Sequence, residues 1–339
     1  MRAIAVTQFL PTSDPRSMVD IELPVPAPGP RDLRVRVEAV SVNPVDTKVR
    51  SRAGSMPGDP RVLGYDAAGV VDAVGTDVSG FQPGDRVFYS GSIVRSGTNA
   101  QFHLVDERIV ARMPQTLDFA QAAALPLTAI TAWELLFERI GLDPDGASRG
   151  KSILVLGAAG GVGSILLQLS RRAGLVTIAT ASRAESRAHA IAHGAAHMID
   201  HSQPLLAQLQ ALGFDGVDVV ANLVDTDGYW DQCAEVVKPQ GRIGLIVGSK
   251  TALPLEPLKN KSVGVAWEMM FTRSEYQTPD MDQQGRLLAR VADLVDRGEL
   301  QSTLTETLTP INAANLRLAH ARSESGRTLG KLVIAGWNS

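Results

Sequence analysis

At 339 residues the chain is long enough for two domains of ordinary size, each with its own core. Apolar residues at 44% and charged residues at 20%, with glycines scattered rather than clustered, give the composition of a globular α/β protein and exclude a disordered one. A formal net charge of -3, with no dense Lys/Arg stripe, argues against a polyanion as the main partner, so no nucleic acid is expected.

The N-terminal run Met1-Arg2-Ala3-Ile4-Ala5-Val6-Thr7 is too brief for a signal-peptide core or a membrane span and reads as a strand. No membrane partner is expected. From Leu33 to Val40 apolar and polar residues alternate with period two, the pattern of a half-buried strand. Gly69 to Gly75 and Gly84 to Tyr89 follow the same pattern, with turn residues such as Gln82-Pro83-Gly84-Asp85 between them. The first third is therefore mostly β. After Asp118, a candidate N-cap, the Ala/Leu-rich run Phe119 to Ile140 contains one proline and predicts two helical pieces meeting near Pro126.

From Ser152 onward strand and helix patterns alternate: strands at Ile153 to Leu156, Val176 to Thr180, Val217 to Ala221 and Arg242 to Val247, and helices at Ser164 to Arg172, Glu185 to His193 and Tyr229 to Val237. That alternation predicts a parallel sheet wound on both faces. A long amphipathic helix, Met281 to Arg297, stops at Gly298, and the chain closes with strand-like pieces ending in Lys331-Leu332-Val333-Ile334. Cys233 is the single cysteine, so an intrachain disulfide and a four-cysteine zinc lobe are both excluded, and a cytoplasmic location is expected.

The segment Ile153 to Ser164 runs from a buried strand through Gly157-Ala158-Ala159-Gly160-Gly161-Val162-Gly163 into a helix. A diphosphate must approach the unpaired amides at a helix start, where side chains in the turn would hold it off. Ala158, Ala159, Gly160, Gly161, Val162 and Gly163 are therefore the expected cofactor cradle, with Gly160 for close approach and Gly163 for tight helix packing. Ala158 stands where the usual fingerprint has its first glycine. The bland alternative is a tight α/β turn.

Some twenty residues on, where an acidic residue would favour NAD, the chain has Thr180-Ala181-Ser182-Arg183. Ser182 and Arg183 offer a hydroxyl and a guanidinium and no carboxylate, which favours NADPH, although Arg183, like Arg187, could simply solvate a helix start. Asn222 and Val247, at the ends of later strands, complete the expected cofactor contacts. His189, His193, His197 and His201 recur every fourth residue, but Gly194 should end their helix, so they are expected not to share a face and no metal site is assigned to them.

The glycine loop, the stretch Ala122 to Trp133, Val42-Asn43-Pro44-Val45-Asp46 and Trp267-Glu268-Met269-Met270-Phe271-Thr272-Arg273-Ser274 together resemble the zinc-free quinone oxidoreductase branch of the medium-chain dehydrogenase/reductases over the whole chain. The resemblance implies an α/β chain with a GroES-like, mostly β catalytic domain (1–125), an inserted Rossmann domain with a doubly wound parallel sheet (126–268), and a return to the catalytic domain (269–339). A homodimer is also implied. Matched onto zinc-bearing relatives, the first cysteine position falls on Asn43, the Gly-His-Glu histidine on Tyr65, and the last cysteine in Leu125-Pro126-Leu127. Asp66 alone cannot make a zinc site, which needs about three protein donors.

Without a Lewis acid, the accessible substrates are quinones and α,β-unsaturated carbonyls, whose charge can move onto an oxygen held by protein donors. Asn43 and Tyr65 are the candidate donors, with Asp46 and Thr128 as further pocket groups. Each has a structural alternative: Asp46 as a cap, Thr128 bonded to backbone, Tyr65 as a packed ring. Two rival functions stay open, an enoyl-thioester reductase and a non-catalytic NADPH-binding regulatory or structural protein of the crystallin kind.

Overall fold

The computed structural model describes residues 1–51 and 60–338. Contacts divide them into two compact units, Met1–Leu127 with Phe271–Ser339, and Thr128–Met270, against joints expected after residues 125 and 268.

The first unit is mostly β. Its larger sheet has seven strands, ordered Leu304–Leu308, Lys331–Ala335, Asp32–Ser41, Asp66–Val74, Arg86–Ser90 and Val110–Arg112, with Phe102–Asp106 also paired to Asp32–Ser41. Leu33, Val35 and Val37 are fully buried, as the period-two reading required. The register places Ser41 opposite both Asp66 and Val333, which draws the end of one strand to the start of the next and to the C-terminal strand. A smaller sheet joins Arg2–Val6 to Val19–Glu22 and Arg61–Val62. The long helix Gln283–Asp296 packs on strand Val110–Arg112, and Gly298, at φ +72, ends it.

Asp118 does cap helix Phe119–Ala123, exchanging bonds with Gln121 as a capping box. A second helix, Pro126–Trp133, follows, and its continuation departs from the expected pattern: it widens into a π-helical stretch, Glu134–Arg139. The run Phe119–Arg139 is, among the described residues, the one helical segment long and apolar enough to cross a bilayer, and it is mostly buried in the fold.

The second unit holds a six-stranded parallel sheet ordered His197–Ile199, Val176–Thr180, Ser152–Leu156, Val217–Asn222, Val237–Leu245 and Gly264–Trp267. In order along the chain this is 3-2-1-4-5-6, the doubly wound arrangement whose strand order reverses between the first and fourth strands. The first, second and fourth strands and the helices Gly161–Arg172 and Ala184–Ala192 follow the sequence pattern closely. The fifth strand does not. It starts at Val237 and stops at Leu245, two residues short of Val247, while the preceding helix runs Thr226–Val236. The missed half of the strand, Val237-Lys238-Pro239-Gln240-Gly241, is largely polar and carries Pro and Gly, so it reads as a turn although its backbone belongs to the sheet.

Candidate functional site

In the first unit the expected pocket residues gather around one carboxylate. Asp66, 0% exposed, accepts hydrogen bonds from Asn43 Nδ2 at 2.7 Å, the Leu127 amide at 2.7 Å, Ser41 Oγ at 3.3 Å and Lys331 Nζ at 3.2 Å. The ammonium of Lys331 also donates to the Val42 carbonyl at 2.9 Å and to Asn43 Oδ1. Burial pulls Lys331 below the usual lysine value, against the opposing pull of Asp66 and Asp46. Asn43 thus has both ends of its amide engaged and is 1% exposed. Its remaining capacity toward a substrate oxygen is the second hydrogen on Nδ2.

Asp46 is buried at the third residue of helix Pro44–Ser51, and its Oδ2 accepts from the Asn43 amide at 2.7 Å, a helix-start tie. Burial pushes its carboxyl up to about 7, opposed by that amide and by Lys331. The Thr47 hydroxyl donates to the Pro44 carbonyl in the same turn. Tyr65, 1% exposed, meets Phe271 edge-on with ring centroids 5.0 Å apart. Thr128 is the first residue of the second unit and is buried in helix Pro126–Trp133.

In the second unit the glycine turn lies at the sheet's switch point. Leu156 ends the first strand, its carbonyl accepts from the Leu223 amide just past the fourth, and Gly157 turns the chain at φ +80. The tight turn that the fingerprint assigns to the Ala158 position is therefore made one residue earlier, so the substitution is harmless; Ala158 itself is buried. A Cβ on Gly163 would lie 2.4 Å from the Gly157 carbonyl oxygen and 2.6 Å from that of Ala158. Only glycine lets the helix sit this close to the strand. Gly160 is the N-cap and contributes no side-chain cap, which leaves the first amides, Gly161, Val162 and Gly163, to an outside acceptor. Ala159 flanks the turn and is buried. These residues fit a dinucleotide diphosphate.

Asn222 shapes the turn beside them: Nδ2 donates to the Asp225 carbonyl at 2.7 Å and Oδ1 accepts from the amides of Val224 and Asp225. The Val247 carbonyl accepts from Thr226 Oγ1. Past the second strand, Ser182 is exposed and Arg183 is the N-cap of helix Ala184–Ala192. Contrary to the expectation of no carboxylate there, Glu185 Oε1 lies 3.2 Å from Arg183 Nη1. The pair is half-exposed, and such pairs are worth about 0–1 kcal/mol, so the guanidinium can exchange partners. Arg187 is turned toward the Ala181 carbonyl at 3.2 Å.

The four spaced histidines do not all share one face: His189 and His193 lie together at the helix end, where His193 is the C-cap and Gly194 follows at φ +109, and His197 opens a strand. His189 stacks on His193 and is pushed down to about 4 by burial and by that neighbour. Among the described residues no three His, Cys, Asp or Glu side chains gather to hold a metal. Asp66 is already matched by an ammonium, and Cys233 sits in the apolar core of the second unit. These residues do not fit a zinc ion. Lys331 is a site residue that the sequence pattern did not single out, although a lysine heading the apolar strand Leu332-Val333-Ile334 was a visible signal that its charge needed a buried partner.

A GroES-like unit and a dinucleotide-type sheet in one chain define a two-part oxidoreductase. Residues 29–115 match the alcohol dehydrogenase GroES-like domain and 193–334 the zinc-binding dehydrogenase family. A zinc-type alcohol dehydrogenase-like protein of Staphylococcus epidermidis is 38% identical over 98% of this chain and 99% of its own. The 2-methylene-furan-3-one reductase of Solanum lycopersicum is 36% identical over 88% of this chain and 70% of its own. Among solved structures, a candidate zinc-dependent alcohol dehydrogenase from Rhizobium etli is 52% identical with a TM-score of 0.95, covering 100% and 99% of the two chains. Escherichia coli quinone oxidoreductase complexed with NADPH is 25% identical with a TM-score of 0.82, covering 99% and 100%. The chain belongs to the medium-chain dehydrogenase/reductase superfamily.

The buried ion pair yields a direct test. Lys331→Met should strand the Asp66 carboxylate and cost about 3–5 kcal/mol in denaturant unfolding, whereas Lys331→Met combined with Asp66→Asn should recover much of that loss. Additive losses would show that the two groups do not depend on each other.

Proposed function

We propose that this oxidoreductase uses NADPH to reduce quinones or α,β-unsaturated carbonyl compounds without a catalytic metal. The observation that carries the reading is the Asp66–Lys331–Asn43 cluster, where the Asp66 carboxylate is already neutralised by a buried ammonium and Asn43 presents an amide instead of a thiolate. The names of two relatives lean the same way, since one is an NADPH-complexed quinone oxidoreductase and 2-methylene-furan-3-one is itself a conjugated carbonyl.

NADPH, when bound, would supply the hydride. The amides of Gly161, Val162 and Gly163 would receive its diphosphate, and Ser182 with Arg183, released from Glu185, would receive the 2′-phosphate. Asn222 and Val247 frame the strand ends beyond that turn. When hydride adds to the β-carbon of an enone, the electron pair moves to the carbonyl oxygen, and the enolate then takes a proton from solvent. Tyr65 and the second Nδ2 hydrogen of Asn43 are the side-chain donors for that oxygen, with Asp46 in a supporting role.

We further propose a homodimer. The sheet of the second unit ends on an edge strand, Gly264–Trp267, and Val265, Trp267 and Met269 expose large apolar side chains along it. Sedimentation at the mass of one 36.1 kDa chain at micromolar concentration would contradict this.

The experiment for the reaction follows NADPH absorbance with purified protein against quinones, enones, enoyl-CoAs and simple alcohols. Turnover is expected with the first two and little with alcohols; turnover confined to alcohols would overturn the substrate reading. Arg183→Ala should weaken NADPH about tenfold and leave NADH nearly unchanged, since a charge-assisted phosphate contact is worth about 1.5–3 kcal/mol. Equal losses for both would overturn the cofactor assignment.

A further inference from the structure

Three ionisable groups of the second unit take no part in the chemistry above, and two of them are fully buried. The π-helical stretch Glu134–Arg139 packs on strands Val237–Leu245 and Gly264–Trp267. A π turn is uncommon in a helix and is kept mostly where it aims a particular side chain. Here it brings Glu134 and Arg139 to Glu268, the residue that follows the sixth strand. Arg139 Nε lies 2.9 Å from Glu268 Oε2, and Arg139 Nη2 lies 3.5 Å from Glu134 Oε2. The two carboxyl side chains are 1% and 0% exposed, and Glu268 Oε1 is buried with no hydrogen-bond partner.

A buried carboxylate oxygen with no donor is costly, and a proton held between the two carboxyl groups removes that cost. The charges nearby act in the same direction. Glu138, more exposed, stands 3.9 Å from Arg139 and adds a further negative group. Strand Val237–Leu245 places Ile243, Gly244 and Leu245 opposite the second half of the sixth strand, and none of these is ionisable. Its Arg242 lies opposite Gly264 at the far end of the pairing, and its Lys238 is paired with Asp218. One guanidinium thus faces two buried carboxyl groups. Glu268 is held up to about 9 by burial first and then by Glu134, against the pull of Arg139. The proton belongs to the pair rather than to either residue.

The place of this pair in the sheet gives it a use. The Glu268 amide donates to the Leu245 carbonyl at 2.9 Å, so the pair closes on the backbone at the carboxyl ends of the fifth and sixth strands. In a doubly wound sheet this is the end where ligands bind. We propose that Glu134 and Glu268 share one proton, and that this shared proton positions the strand-end segments Leu245–Val247 and Glu268–Met270 to receive the nicotinamide end of the cofactor. Glu268 is a positioning residue here and touches no cofactor atom. Without the proton, two carboxylates would face each other across one guanidinium and drive the π turn away from the strand end. The inference rests on the reading that the chain binds NADPH.

The sign of the linkage is fixed by the direction of the shift. The folded Glu268 carboxyl titrates above an ordinary glutamate value of 4.5, so its contribution is complete below that pH and is lost as pH rises through about 9. The test is a fluorescence titration of NADPH into the full chain from about pH 7 to 10.5, with far-UV circular dichroism at each pH, for wild type, Glu268→Gln and Glu134→Gln. Each glutamine puts an amide donor in place of the proton, leaves one carboxylate for Arg139 and removes the labile proton; if one variant fails to fold, the other carries the test. Wild type should lose affinity about tenfold per pH unit above about 9 while its dichroism holds. The glutamine variants should lack that limb and bind within about twofold of wild type at about pH 7.5. A wild-type curve that stays flat, a limb retained unchanged in the variants, or a limb that coincides with unfolding would each overturn the proposal. Wild type that binds no NADPH at any pH would instead overturn the cofactor reading on which it rests.

Discussion

The carboxylate of Asp66 is removed from water altogether, and a charge in that position must be neutralised where it stands. Lys331 supplies the charge, and Asn43, Ser41 and the Leu127 amide satisfy the remaining lone pairs. These partners come from the strand Asp32–Ser41, the residues just after it, the C-terminal strand and the start of helix Pro126–Trp133. One buried ion pair therefore ties together segments that are far apart in the sequence. Its net contribution to stability is small by the usual balance of desolvation against attraction, but breaking it from one side leaves a bare charge. That asymmetry makes the arrangement hard to alter one residue at a time. Asp46 and Tyr65 inherit their positions from it, one through the Asn43 amide and the other as the neighbour of Asp66 in the chain.

The second unit depends on a steric constraint instead of a charge. Its first helix lies so close to the first strand that a single methyl group at Gly163 would collide with two carbonyl oxygens. Close packing there is what points the free amides of the helix start outward at the switch point of the sheet. Gly157 makes the reversal possible by taking a left-handed backbone conformation.

Much of this was legible in the residue pattern. Strict alternation located the strand Asp32–Ser41, and the strand–glycine turn–helix succession located the nucleotide loop, because both signals are local. The misses have a common physical origin. The tight turn sits at Gly157 rather than at the position of Ala158, a one-residue difference that backbone dihedrals decide and composition does not. Val237 begins a strand after a helix that ends at Val236, and the Lys238-Pro239-Gln240-Gly241 stretch that follows carries turn residues that hide it. Lys331 and Glu268 read in the sequence as members of a strand and of a motif. Their partners, Asp66 and Glu134, are distant along the chain, so the pairing shows only once the sheet brings them together. Glu185 lies in the first turn of the next helix rather than at the strand end, and only the folded turn brings its carboxylate to Arg183.

The proposed reduction without a catalytic metal stands on the ammonium and the amide that hold Asp66 in the first unit. It is tested most directly by measuring zinc content and enone-dependent NADPH oxidation on the same preparation before and after prolonged chelation. The account predicts well under about one zinc per chain, since no group among the described residues has the roughly three donors that a bound zinc requires, and an unchanged rate. Stoichiometric zinc that leaves together with the activity would contradict it.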